Sequence, residues 1–291
     1  VVLKAVKKNQ PTTVEITKSD ITTGTELDGA SLKVLDKDGN VVDEWTSVKD
    51  APHVIKRLVV GETYTLREEF APYGYLKATD VEFTVEDNGD VQKVEMKDEV
   101  PTGLLIINKK GEFLDKVTLL DNAKGTVEHL FEYITGSLTE VTFHVYAAED
   151  IKAADGVSED YFKADELVGT ITTDTNGIAQ LGDLPVGKYY VKEAETVHGY
   201  VLDGEPRYVD LSYRDQDTPV VTYDEAWQNN RQKVKVTVLK KEKDTERVLA
   251  GGIFGLFTRE DIKNVGGDVL MEADTLIELK TCLLYTSPSP R

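Results

Sequence analysis

Three lysines occupy the same place in three recurring segments, and residues that could react with two of them follow at a distance. Lys18 ends the apolar series Val14/Ile16, Lys109 ends Leu105/Ile107, and Lys240 ends Val234/Val236/Val238. Alternate residues of an extended chain share a face, so each lysine continues an apolar face. Glu68 likewise follows Tyr64 and Leu66, and Glu193 follows Tyr189 and Val191. Asp98 follows Val94 and Met96, while Asn229 follows Tyr223 and Trp227 with Glu225 interrupting. Two complete units therefore send an amine, a carboxyl and a second acyl group toward one interior. Buried charges are costly unless neutralised. A proton-shared hydrogen-bonded cluster would achieve this, and so would condensation of the amine with the acyl group. Desolvation lowers a lysine pKa and raises that of a carboxyl, which favours a nucleophilic amine.

A strand-end lysine can also snorkel to water, but the recurrence with matched partners argues for the interior placement. Glu69 rivals Glu68, and Lys110 rivals Lys109; the alternation selects Glu68 and Lys109. Lys109 lies 11 residues after Asp98, as Lys240 does after Asn229, and Asn9 precedes Lys18 by 9. Asn9 thus reads as the acyl residue of a preceding unit, and Lys240 as the amine of a following one.

The elements that must position these groups are short strands. VEITKSDITTGTELDGA (14–30) aligns without gaps on VTVLKKEKDTERVLAGG (236–252), placing Lys18 on Lys240, Leu27 on Leu249 and Gly29 on Gly251. LIINK (105–109) repeats the opening, with its Leu-x-Gly-Ala counterpart displaced to Leu138-Thr139-Glu140-Val141. TYTLREEFAPYGY (63–75) matches KYYVKEAETVHGY (188–200). Period-two runs punctuated by Asp38-Gly39-Asn40, Asn88-Gly89 and Asn176-Gly177 predict hairpins. One short helix is expected over 147–155 (AAEDIKAAD). The fold class expected is all-β, with tandem Ig-like β-sandwiches end to end. Residues 1–10 read as the last strand of a preceding domain and 11–100 as a complete sandwich. Residues 101–232 read as a second sandwich with insertions near 110–137 and 149–168, and 233–281 as the start of a third. The composition changes abruptly after Thr281, and CLLYTSPSPR (282–291) reads as a translated sequencing adapter.

The opening lysine, TYTLREEFAPYGY and the terminal VEMKDE (94–99) together resemble the SpaA-type, or Cna protein B-type, domains of Gram-positive surface adhesins and pilins. The resemblance implies a transthyretin-like (prealbumin-like) sandwich with a self-formed isopeptide bond from a first-strand Lys to a last-strand Asp or Asn. It implies Lys18–Asp98 with Glu68 assisting, and Lys109–Asn229 with Glu193 assisting. Glu140-Val141 in place of Gly-Ala, and the missing proline before His198-Gly199-Tyr200, depart from the family pattern. The implied role is a stalk segment of a cell-wall-anchored adhesin or pilin, extracellular on a Gram-positive bacterium. Its implied partners are neighbouring domains of the same chain, a sortase acting on a further C-terminal signal, and host matrix or cell-surface ligands reached through other domains. Bond formation is a single-turnover event, so no enzyme is implied. An alternative is a glycan- or protein-binding sandwich module of a secreted protein.

Composition narrows the field further. Lys+Arg is 34 against 53 Asp+Glu, a net charge of −19, which argues against a nucleic-acid face or adsorption to anionic lipid. No apolar run approaches the roughly 20 residues of a membrane span. A lone Cys282 excludes an intrachain disulfide, and His53, His129, His144 and His198 lack metal-ligand spacing. No cofactor motif is visible. Asp36–Asn40 reads as a hairpin turn rather than a calcium loop. Trp45, Tyr73 and Tyr75 could form a sugar-stacking patch, but packing roles fit them better.

Overall fold

The computed structural model describes residues 11–121 and 127–281. Asn9, the strand expected over 1–10, Cys282 and the 282–291 tail lie outside the described residues. Seven strands make the first domain: β1 (Thr13–Asp20), β2 (Ser31–Leu35), β3 (Val41–Thr46), β4 (His53–Lys56), β5 (Thr63–Phe70), β6 (Val81–Thr84) and β7 (Val91–Asp98). They form a three-stranded sheet β4-β1-β7 and a four-stranded sheet β3-β2-β5-β6. Val14, Ile16, Leu32, Val34, Leu66, Phe83 and Met96 fill the space between them.

The second domain repeats the plan with one added strand. It comprises β8 (Thr102–Asp121), β9 (Val127–Ser137), β10 (Thr142–Ala147), β11 (Leu167–Thr172), β12 (Ile178–Pro185), β13 (Gly187–Glu195), β14 (Arg207–Leu211) and β15 (Val220–Asn229). Its sheets are β12-β8-β15, with β9 paired to β8, and β11-β10-β13-β14. The insertion expected near 110–137 is thus a hairpin that prolongs the opening strand. In each domain the first and last strands pair in parallel, β1 with β7 and β8 with β15.

Gly29 has φ +89 and donates its N–H to Ser47 O; Glu140 has φ +59 and donates to Thr173 O. The substitution of Glu for Gly therefore leaves the backbone turn unchanged but puts a side chain where only glycine is relaxed. Glu140→Gly is expected to stabilise the second domain by about 0.5–1 kcal/mol, measured by denaturant unfolding.

Two sequence expectations are corrected. Residues 147–155 form a bend, not a helix. Ile151 pairs with Phe162 in an isolated bridge and is buried against the second core, so tertiary packing overrides the local helix pattern. The expected opening strand at 234–240 has no ladder partner among the described residues, and its valines are exposed. Beyond it, β16 (Ile253–Phe257) pairs with β19 (Leu276–Thr281), and β17 (Ile262–Lys263) with β18 (Val269–Met271). The 149–168 segment has a counterpart here. Ala164 N donates to Asp150 Oδ1 and Ala273 N to Asp261 Oδ1, both at 2.9 Å. Asp165 and Asp274 both take left-handed φ. That loop is part of the repeat.

Candidate functional site: two buried amine–acyl clusters

The parallel pairing sets the geometry. Lys18 lies opposite Met96, and Asp20 opposite Asp98; Lys109 lies opposite Trp227, and Gly111 opposite Asn229. Each acyl residue is thus two positions ahead of its lysine on the adjacent strand. That offset of about 6.6 Å is one that the four-carbon stem of lysine can span. Glu68 on β5 pairs with Leu32, and Glu193 on β13 with Phe143, so the opposite sheet supplies the third group.

All six residues are buried; Lys18 is 4% exposed and Lys109 1%. In the first domain, Lys18 Nζ is in direct contact with Asp98 Oδ1 and lies 3.1 Å from Glu68 Oε1. Glu68 Oε2 accepts the Ala78 N–H at 2.7 Å. Burial raises the Asp98 pKa to about 7; Lys18 opposes that rise and Glu68 adds to it. Glu68 Oε1 and Asp98 Oδ2 have no hydrogen-bond partner among the described residues.

In the second domain, Lys109 Nζ is 2.7 Å from Glu193 Oε2, close enough for an ion pair but outside hydrogen-bond alignment. Asn229 Nδ2 donates to Glu193 Oε1 and, at 2.9 Å, to Thr196 Oγ1. Glu193 therefore places one oxygen by the amine and the other by the carboxamide nitrogen. Burial lowers the Lys109 pKa; Glu193 opposes this, Arg207 adds to it, and Asp203 opposes it. The Lys109 ammonium position lies 5.4 Å from the Phe143 ring centre, and Phe143 meets Trp227 edge-on at 5.7 Å.

Thr196 and the Ala78 N–H are the site contacts that the sequence reading missed. Thr196 is three residues beyond Glu193, and Ala71 stands at that spacing from Glu68. A carboxamide brings two N–H donors that need acceptors, which Asp98 does not. The pairing of Asn229 with a threonine was therefore a readable signal.

The Gly-Tyr ends of the repeated motif also have a shared role. Gly74 and Gly199 take φ +93 and +90. The next residues, Tyr75 and Tyr200, donate to Asp20 Oδ2 at 2.8 Å and Glu112 O at 2.9 Å, just past the lysines. Tyr75 is buried and its pKa is raised by burial first and by Asp20 second. Trp45 stacks on His53 at 4.0 Å, Tyr73 meets Tyr213 at 4.9 Å and Tyr75 is buried, so the three rings have separate packing roles. Asp36 Oδ1 accepts the Asp38 and Asn40 N–H groups, the geometry of a turn. Lys240 is exposed, with no acyl partner among the described residues.

Two tandem prealbumin-like sandwiches, each holding a lysine, a glutamate and an acyl residue inside, define the class. The SpaA prealbumin-like fold domain matches residues 12–100 and 133–226, and the chain belongs to that family. The chain is similar to the structure of the Bacillus anthracis TIE protein, with 19% identity and a TM-score of 0.52. That match covers 93% of this chain and 43% of the other, so this chain spans less than half of that protein's length. The structure of the Streptococcal ancillary pilin is 17% identical, with coverage of 78% and 64% and a TM-score of 0.30. BcpA, the major pilin subunit of Bacillus cereus, is 14% identical, with coverage of 76% and 100% and a TM-score of 0.28. No curated protein matches the sequence.

Proposed function

We propose that this chain is a stalk segment of a cell-wall-anchored adhesin or pilin of a Gram-positive bacterium, with each domain closed by its own isopeptide bond. The observation that carries the reading is the same two-residue offset of lysine and acyl partner in both interiors, with a glutamate facing each. Lys18 Nζ attacks Asp98 Cγ; a C–N bond forms, a C–O bond breaks, and water leaves. Glu68 takes a proton from the amine and returns it to the departing oxygen. Lys109 attacks Asn229 Cγ in the same way. Glu193 relays the proton from Lys109 to Nδ2, which leaves as ammonia. Contact between Lys18 Nζ and the Asp98 carboxyl, and the shared hold of Glu193 on Lys109 and Asn229, supply much of the acceleration. Each bond forms once per molecule, so the chemistry is maturation rather than turnover of an outside substrate. The domain limits 11–100 and 101–232 follow from this assignment, because each bond joins the first and last strands of its unit. The surface setting, with sortase attachment and host ligands bound by other domains, belongs to the same reading.

Intact-mass spectrometry of the purified chain tests it. Two condensations make the chain about 35 Da lighter than its sequence mass, one water plus one ammonia. An unchanged mass would leave a plain sandwich spacer.

A further inference from the structure

The carboxylate of Glu68 is aimed by the Ala78 N–H on Oε2. Ala78 lies in a segment, 71–80, that belongs to no strand, so no ladder fixes its backbone. Its first-domain anchors include Tyr75 OH on Asp20, the Leu76 N–H on Glu99 O at 2.8 Å and Arg67 on Asp80; the second domain adds others at both flanks. Gln216, in the loop between β14 and β15, accepts the Ala71 N–H on Oε1 at 2.9 Å. Its own carbonyl accepts the Lys77 N–H at 3.0 Å, immediately before Ala78. Gln216 Nε2 reaches Glu69 O at 3.4 Å, and Tyr213 OH donates to Tyr75 O at 3.1 Å.

The loop that carries Gln216 is itself braced. Asp215 Oδ1 accepts the Asp217 N–H at 2.9 Å and the Thr218 hydroxyl at 2.8 Å. Pro219 O accepts the Thr102 N–H at 3.0 Å, at the start of β8. A braced loop of one domain thus grips both flanks of the strand-free segment that orients the other domain's glutamate.

We propose that Gln216 is a positioning residue for the Lys18–Asp98 condensation, so that closure of the first domain depends on docking of the folded second domain. The inference rests on the isopeptide reading above. It adds an order of events: the second domain can close by its own residues, whereas the first closes at full rate only when its neighbour is in place. Gln216 touches none of the reacting atoms and acts through residues 71–78.

The test follows both cross-links during cell-free synthesis of the full chain. Samples are quenched in denaturant at intervals, and the Lys18–Asp98 and Lys109–Asn229 cross-linked peptides are quantified by mass spectrometry. Gln216→Ala combined with Tyr213→Phe removes the side-chain contacts to Ala71, Glu69 and Tyr75 while the backbone bond from Lys77 to Gln216 O stays, and it is expected to slow the first cross-link roughly five- to tenfold, the scale of a lost positioning hydrogen bond. The second cross-link should keep its wild-type rate, which also reports that the second domain folds. Gln216→Glu retains the acceptor for Ala71 and should restore most of the first rate. An unslowed first cross-link in the double variant overturns the inference alone, and so does equal slowing of both. Absence of both cross-links from the wild type overturns the isopeptide reading and this inference with it.

Discussion

Glu193→Ala is expected to leave the second domain open, with the ammonia of Asn229 retained in its mass. On the proposed isopeptide reading, the variant loses the staple that closes a loop of 120 residues (109 to 229), about 4.9 kcal/mol by the loop-entropy relation. It also strands the amine of Lys109 in an interior where Glu193 is the carboxylate beside it. An amine buried without a partner carries a desolvation penalty of roughly several kcal/mol that the linked amide does not. Together these should bring the second domain near the limit of stability, seen as a large drop in the denaturant midpoint with the first-domain cross-link intact. A variant that still loses ammonia would remove Glu193 from the chemistry.

Lys18→Met separates the staple from the charge. It forfeits the 80-residue closure, about 4.5 kcal/mol, while the methionine preserves much of the buried stem. Glu68 and Asp98 then face each other without a cation. Asp98 already sits at about 7 with Lys18 beside it, and removing that lysine pushes it further up. A carboxyl raised in the folded state favours folding while it keeps its proton. The contribution is full below the unfolded value of about 3.9 and is gone once the pH has risen past the folded value. Lys18→Met should therefore unfold at lower denaturant at about pH 8 than at about pH 5. In the linked wild type Asp98 is an amide and does not titrate, so that part of the dependence should vanish. Equal stability of the variant at both pH values would sink the argument.

The six central residues are legible because strand alternation puts residues that continue an apolar face toward the core, although Glu225, on such a face in β15, is exposed. Val14, Ile16 and Lys18 follow the alternation, as do Leu105, Ile107 and Lys109. The bend at 147–155 was misread because AAEDIKAAD carries helix formers, and nothing local reveals that Ile151 is needed in the core. Its repeat was nonetheless written in the chain, since Glu149-Asp150-Ile151-Lys152 returns as Glu260-Asp261-Ile262-Lys263. The alternation of Val234, Val236 and Val238 pointed to a strand, but a strand exists only with neighbours. β1 has β4 and β7, whereas residues 234–240 have none among the described residues. Gln216 was invisible for another reason. Its partners lie 145 and 147 residues away, and a polar residue in an Asp-rich loop carries no sign of so distant a contact.

The side-by-side parallel course of β1 and β7 has a consequence for reach. A chain whose first and last strands run the same way leaves the domain at the pole opposite its entry. Each strand is 8 residues long, an axial advance of about 26 Å. Antiparallel closure would return the chain to its starting pole and cancel that gain. Duplication of one such unit in the gene therefore carries the chain onward by a similar step rather than folding it back.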